Sequence, residues 1–97
     1  MKVELSDEAK RQARDENAWW RKNRDHQRIF TEELRAARKV LKDGPKHQIS
    51  AYIDGKTVRR LLLEKTHCHV HYLVFEREKL VRIVAVWGGP REHGPKL

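Results

Sequence analysis

Apolar and polar positions recur with two different periods along the chain, helical in the first half and strand-like in the second. Residues 3–5 alternate in the manner of a short strand, and Ser6 then stands where the N-cap of a helix is expected. Residues 7–23 are predicted to form the first helix, with carboxylates in its first turn and many cationic side chains on its surface. Its thin apolar stripe consists of Ala9, Ala13 and Trp20.

A second predicted helix, roughly residues 25–42, has a stronger apolar stripe. Its apolar positions are spaced by four, three and four residues, which is typical of a helix with one buried face. These positions are Phe30, Leu34, Ala37 and Leu41. Gly44-Pro45 is expected to end the helix, because glycine accepts a left-handed C-cap and proline cannot continue a helix. The short link between the helices predicts an antiparallel helical hairpin.

After Pro45 the apolar pattern is that of strands. The segments with this pattern are residues 49–53, 57–64, 67–77 and 80–87. Asp54-Gly55 separates the first two, and this dipeptide favours the tight turn of a hairpin. Residues 78–79 predict a further turn, and residues 88–97 an irregular tail rich in glycine and proline.

The order of these elements predicts an α+β fold in one domain, residues 1–97. We expect the order β-α-α-β-β-β, in which an N-terminal strand and an antiparallel helical hairpin precede three antiparallel strands. The strands form a small sheet with both helices on one face.

The chain is strongly basic, with 22 Lys and Arg against 14 Asp and Glu and a formal charge of +8. Such a charge attracts nucleic acid, acidic proteins or anionic lipid, and we infer a polyanionic partner; the alternative is a solvated charged surface. No apolar run approaches the ~20 residues that span a bilayer, and no N-terminal apolar segment is present. We therefore expect a cytoplasmic protein with no membrane partner, which agrees with its single cysteine.

Three histidines and the only cysteine fall within residues 67–71. Alternation along a strand puts them on opposite faces. The histidine face consists of His67, His69, His71, Leu73 and Phe75. The other face, Cys68, Val70, Tyr72 and Val74, is apolar. We expect the Cys68 face to pack against the helices, and the histidine face to stay open or to be covered by a partner.

Two histidines at i and i+2 of a strand can share a metal ion, but a zinc site needs a third and usually a fourth ligand. No second cluster of Cys and His stands at ligand spacing in the sequence. We therefore expect neither a metal site nor a cofactor. Catalysis by Cys68 is disfavoured, because a reactive thiolate needs exposure and a positive environment.

Arginines interrupt two apolar strands. Arg59 and Arg60 point to opposite faces of one strand, and Arg82 lies within the last. A partly buried guanidinium needs a carboxylate or a phosphate. The alternatives are an ion pair with Glu64, Glu76 or a helix carboxylate, and an anion-binding face.

Several short motifs occur in a fixed order over nearly the whole chain. They are Val3-Glu4-Leu5-Ser6 followed by Ala9, Ala18-Trp19-Trp20, the break from Leu41 to Pro45, Val58-Arg59-Arg60-Leu61, His69-Val70-His71-Tyr72, and Val84-Ala85-Val86-Trp87-Gly88-Gly89-Pro90-Arg91. Together they resemble the RelE/ParE toxins of type II toxin-antitoxin systems, and the ParE branch most. The resemblance implies a bacterial toxin of the plasmid-stabilization type, held in a hetero-oligomer by an acidic antitoxin that covers its sheet groove.

Within that family, ParE-like members poison DNA gyrase, whereas RelE-like members cut mRNA on the ribosome. By position, Arg59 matches the sheet arginine of the family and Arg91 its C-terminal arginine. Trp87 stands where a RelE-like enzyme has its acid/base group, and an indole cannot transfer a proton at useful pH, so gyrase poisoning is favoured. A ribosome-dependent mRNA endonuclease and a degenerate, non-catalytic binding protein remain as alternatives.

Three sets of candidate site residues are expected for such a toxin. The target-binding set is Arg59, Arg60, Arg82, Trp87 and Arg91. The antitoxin-binding set is the histidine face, His67, His69, His71, Leu73 and Phe75. If the chain is instead a nuclease, its catalytic set is His69, His71, Tyr72 and Arg59.

Overall fold

The computed structural model of the chain describes residues 1–23, 28–44, 48–53 and 55–88. Its elements are β1 (Lys2–Leu5), α1 (Asp7–Asn23), α2 (Ile29–Lys42), β2 (Gln48–Ile53), β3 (Lys56–Leu63), β4 (Cys68–Phe75) and β5 (Leu80–Gly88). Two helices and one sheet make an α+β fold, as predicted. Pro45, Asp54 and most of the predicted tail, residues 89–97, lie outside the described residues.

The five strands form one mixed sheet in the order β1-β5-β4-β3-β2. The strands from β2 to β5 pair antiparallel with their neighbours, whereas β1 pairs parallel with β5. The predicted count of three strands after the helices is wrong, because each of the four strand-like segments of the sequence forms a strand. Gly55, with a φ of 75°, turns the chain so that β2 and β3 both join the sheet as a hairpin.

Local signals set the ends of the helices. Ala9 N donates to Ser6 Oγ at 3.1 Å, so Ser6 caps α1 as predicted. Gly44 N donates to Leu41 O at 3.2 Å, and Gly44 has a φ of +117°, which agrees with the predicted role of this glycine at the end of α2. α2 begins at Ile29, later than the predicted residue 25.

The two helices run antiparallel. Thr31 Oγ1, near the start of α2, donates to Asn17 Oδ1 in the second half of α1 at 2.9 Å. At the far end of α2, Met1 N donates to Lys42 O at 2.8 Å. The end of α2 therefore returns to the start of the chain.

The core lies between the helices and one face of the sheet. Cys68, Val70 and Tyr72 of β4 are fully buried, so the Cys68 face packs inward as predicted. The helices contribute Ala9, Trp20, Phe30, Ala37 and Leu41. Leu34 was predicted to be buried with them, and that prediction is wrong. Leu34 is only partly buried because it lies at the edge of the core, in a groove between the helices.

α1 also buries polar side chains. Gln12 and Glu16 lie on the same side of the helix as its apolar stripe and are 5% and 1% exposed. β1 pairs only with residues 80–83 of β5, so the edge of β5 beyond them faces α1. There Gln12 Oε1 accepts a hydrogen bond from Val86 N at 2.7 Å, which supplies the acceptor that a neighbouring strand would provide.

A carboxylate of α2 holds the turn between β3 and β4. Glu33 Oε1 accepts hydrogen bonds from Thr66 N at 2.9 Å and Thr66 Oγ1 at 2.7 Å, and Glu33 Oε2 accepts one from Lys65 N at 2.6 Å. The same turn contains His67, whose φ of 59° is left-handed. β4 therefore begins at Cys68 and not at residue 67, and it ends at Phe75 rather than at residue 77.

Candidate functional site

Most of the predicted site residues lie on the face of the sheet opposite the helices. Directly paired residues share a face, and pairing places His69 beside Trp87, and His71 beside Arg60. We call this surface the open face. It includes Glu4 of β1, Lys56, Arg60 and Leu62 of β3, His69, His71, Leu73 and Phe75 of β4, and Arg82 and Trp87 of β5. Each of these side chains is exposed or half-buried.

Two imidazoles, a guanidinium and an indole meet at the centre of the open face. The ring centroids of His69 and His71 are 6.5 Å apart, and those of His71 and Trp87 are 6.4 Å apart. Arg60 is the cross-strand neighbour of His71. We call these four residues the histidine cluster. Three adjacent strands supply it, so the register of the sheet fixes its geometry.

The histidine cluster disfavours protonation of its imidazoles. Burial lowers the pKa of His69 most, and repulsion from Arg60 and His67 lowers it further. Burial is also the largest cause of the lowered pKa of His71, and repulsion from His69 and Arg60 adds to it. His69 Nδ1 is buried and has no hydrogen-bond partner among the described residues. An anion placed on the cluster would offset the repulsion from Arg60, while burial, the larger cause of the lowered pKa values, would remain.

A second cationic and aromatic group lies on the open face around Phe75. Lys56 Nζ is 4.8 Å and Arg82 Cζ is 4.9 Å from the centroid of the Phe75 ring, both within the range of a cation–π interaction. Arg82 Nε also donates to Glu4 Oε1 at 2.8 Å. The predicted ion-pair partners are therefore wrong for Arg82. β1 supplies the carboxylate, because its parallel pairing with β5 puts Glu4 beside Arg82.

The four residues of the nuclease alternative lie on two faces of the sheet. His69 and His71 belong to the open face. Tyr72 is fully buried in the core, and Arg59 is its cross-strand neighbour on the helix side. A catalytic acid and base must reach the same scissile phosphate. The sheet itself separates these two pairs of residues.

The predicted target-binding and antitoxin-binding sets fall largely on one surface. Of the target-binding set, Arg60, Arg82 and Trp87 lie on the open face. Arg59 lies on the helix side of the sheet, and Arg91 lies outside the described residues. Of the antitoxin-binding set, His69, His71, Leu73 and Phe75 lie on the open face, and His67 is exposed in the turn before β4.

Two residues of the open face, Lys56 and Glu4, were not predicted from the sequence. Lys56 shares the alternation of Arg60 along β3, and this signal could have placed it on the same face. No local sequence pattern predicts the place of Glu4, because its contact with Arg82 depends on the pairing of β1 with β5.

A metal site finds no support in the part of the chain that the structure describes. There, no group of three or more His, Cys, Asp or Glu side chains could hold a metal ion. Cys68 is buried on the opposite side of the sheet from His69 and His71. The cysteine and the histidines therefore do not act on a common ligand.

Comparison with protein-family models, with curated proteins and with solved structures finds no match for this chain. Within residues 1–23 and 28–44, which include both helices, neither helix is long and apolar enough to cross a membrane.

Proposed function

We propose that this protein is the toxin component of a type II toxin-antitoxin module and that it acts by binding its target rather than by catalysis. The open face supports this proposal. It combines cationic, aromatic and apolar side chains on a surface that none of the described elements covers. Arginine and aromatic residues are typical of binding sites. The formal charge of +8 favours an acidic partner for this surface.

One observation carries the proposal: the residues expected to bind the target alternate with those expected to bind the antitoxin. Trp87 and Arg60 are the direct neighbours of His69 and His71, and Arg82 is the neighbour of Leu73. An acidic antitoxin segment that covers the histidines and Leu73 also excludes the target from these neighbours. Neutralisation then follows from steric competition within a hetero-oligomer.

Because the chain resembles ParE-like toxins, we propose DNA gyrase as its target. A gyrase poison needs a binding surface that traps a cleaved enzyme–DNA intermediate, and it needs no proton donor at a scissile phosphate. The separation of Tyr72 and Arg59 from the two histidines favours this mode over cleavage.

A second candidate function, ribosome-dependent cleavage of mRNA, draws support from the histidine cluster. Two imidazoles 6.5 Å apart share a face with a guanidinium, and this arrangement could place an acid, a base and a cation around one phosphate. In that case Arg60 and not Arg59 supplies the cation, and Tyr72 takes no part.

The test begins with antitoxin-free protein, gyrase and supercoiled plasmid. We expect the protein to stabilise double-strand breaks, and we expect an Arg60→Ala, Trp87→Ala double variant to lose most of this effect with its fold intact. Arg35→Ala is the control, because Arg35 is exposed on α2, away from the open face. An equal loss of break stabilisation in both variants would show that the open face does not bind the target.

The same preparation is then added to translating ribosomes with a defined message. Cleavage of the mRNA at the ribosomal A site, with gyrase unaffected, would replace the proposal with the nuclease candidate. A His69→Gln, His71→Gln double variant would then abolish cleavage. If neither gyrase nor mRNA is affected, both of these functions are wrong and the alternative of a non-catalytic binding protein is left.

A further inference from the structure

The groove between the two helices, on the side of the sheet opposite the open face, is apolar. Its floor is formed by Leu5, Ala13, Phe30 and Leu34. The groove has a volume of about 460 Å³. The hydrogen bond from Thr31 to Asn17 crosses between the helices within its lining. Leu34, part of the apolar stripe of α2, thus faces a space that no described element fills.

The rim of this groove is cationic. Lys10 and Arg14 stand one helical turn apart on α1 and are both exposed. Among the described residues, no carboxylate lines the groove. The groove between α2 and β3 differs, since three glutamates and a single lysine line it. The two apolar grooves therefore favour partners of opposite charge.

The lining of the groove has helical periodicity. Lys10, Ala13, Arg14 and Asn17 of α1 contribute to it at positions i, i+3, i+4 and i+7. Two turns of helix span about 10 Å. A partner helix of the same length presents apolar side chains at the same spacing, which suits a floor formed by Ala13, Phe30 and Leu34.

We propose that this groove binds an acidic amphipathic helix of a partner protein. The apolar side chains of that helix lie on Leu34 and Ala13, and its carboxylates reach Lys10 and Arg14. The cationic rim favours a partner helix with negative charge, because a basic helix would meet two exposed cations and no carboxylate in the described lining. The groove lies on the other side of the sheet from the open face, so this proposal does not rest on the proposed toxin function.

The experiment uses the full chain and a synthetic, fluorescently tagged peptide of about 16 residues, long enough for a short helix. The peptide carries leucine at i, i+3, i+4 and i+7 and glutamate at most other positions. A second peptide has the same leucines, with lysine in place of glutamate. Fluorescence anisotropy measures affinity, and amide NMR shifts locate the site. We expect the acidic peptide to bind and to shift signals of residues in the groove.

Because the whole chain is basic, the variants must separate the groove from general attraction. Lys10→Glu with Arg14→Glu should weaken binding by about tenfold or more, which corresponds to about 1.4 kcal/mol. The matched control is Arg35→Glu with Lys39→Glu, an exposed pair at the same i, i+4 spacing on α2 that makes the same change in net charge. The control should weaken binding much less.

A neutral variant, Lys10→Gln with Arg14→Gln, gives the same comparison if the charge reversal prevents folding. Equal weakening by the groove and control pairs would overturn the proposal. So would NMR shifts confined to the open face, or equal binding of the basic peptide. The last measurement tests binding of the protein to vesicles of phosphatidylglycerol. If they bind through Lys10 and Arg14 while the acidic peptide does not, the groove is a membrane contact and the proposed helix is wrong.

Discussion

Cys68 Sγ donates to Glu16 Oε1 at 3.4 Å, across 52 positions of the chain. Both residues are fully buried, Glu16 at 1% and Cys68 at 0% exposure. A carboxylate in the core is costly unless it is hydrogen-bonded. The only cysteine of the chain is therefore part of the packing between α1 and β4.

Burial of Cys68 predicts slow alkylation. In the folded protein, iodoacetamide should modify Cys68 orders of magnitude more slowly than in urea, because the thiol becomes accessible only when the structure opens. Mass spectrometry of timed samples gives both rates. Similar rates in the two conditions would place the thiol at the surface.

Removal of the Gln12 side chain should destabilise the fold. Gln12→Ala leaves the amide of Val86 without its acceptor, and a buried amide in that state costs about 1–3 kcal/mol. Urea denaturation measures the difference. Asp15→Ala is the control on the same helix, because Asp15 is exposed and should change stability by less than about 0.5 kcal/mol. Equal effects of the two substitutions would contradict the assigned hydrogen bond.

Two leucines of α2 should respond differently to truncation. Leu41 is fully buried, so Leu41→Ala should cost about 2–5 kcal/mol. Leu34 lines an open groove and loses less apolar contact, so Leu34→Ala should cost about 1 kcal/mol. The same urea series compares them. A larger cost at Leu34 would mean that the register of α2 against the sheet is wrong.

Acid should weaken the fold through the histidine cluster. The pKa of His69 and that of His71 are lowered in the folded state, so below the ordinary value of about 6.5 the unfolded chain takes up protons first. Stability is fully present above that value and falls as the pH decreases towards the folded-state pKa. A His69→Gln, His71→Gln variant should lose less Tm than the wild type between pH of about 7.5 and about 5.5.

His67→Gln is the control for this titration. His67 is exposed in the turn before β4, so its replacement should leave most of the acid effect in place. An identical pH profile for the wild type and the His69→Gln, His71→Gln variant would show that other groups cause the acid effect.

Periodicity predicted the fold class and the inward face of β4. Alternation alone placed Cys68, Val70 and Tyr72 in the core, because one face of a strand must be buried. It did not predict that Leu34 stays at the edge, since the angle between two helices decides which residues of an apolar stripe are covered. It also missed Gln12, because a polar side chain is buried only when a particular partner needs it.

Alternation also predicted much of the candidate site, but it did not predict which strands meet. It separated Arg59 from Arg60 and grouped His69 with His71. The contact between Trp87 and His71 and the ion pair of Arg82 with Glu4 depend on the order of strands in the sheet. Such partners are far apart in the chain, and no local pattern encodes them.

The parallel pairing of β1 with β5 constrains when the chain can fold during its synthesis. Glu4 and Arg82, partners in that pairing, are 78 residues apart, so β1 leaves the ribosome well before the strand with which it pairs. Until Leu80 and the residues after it emerge, Val3 has no strand to pair with and Ala9 lacks the surface that buries it. A nascent chain that stalls before β5 therefore exposes apolar surface to chaperones and proteases.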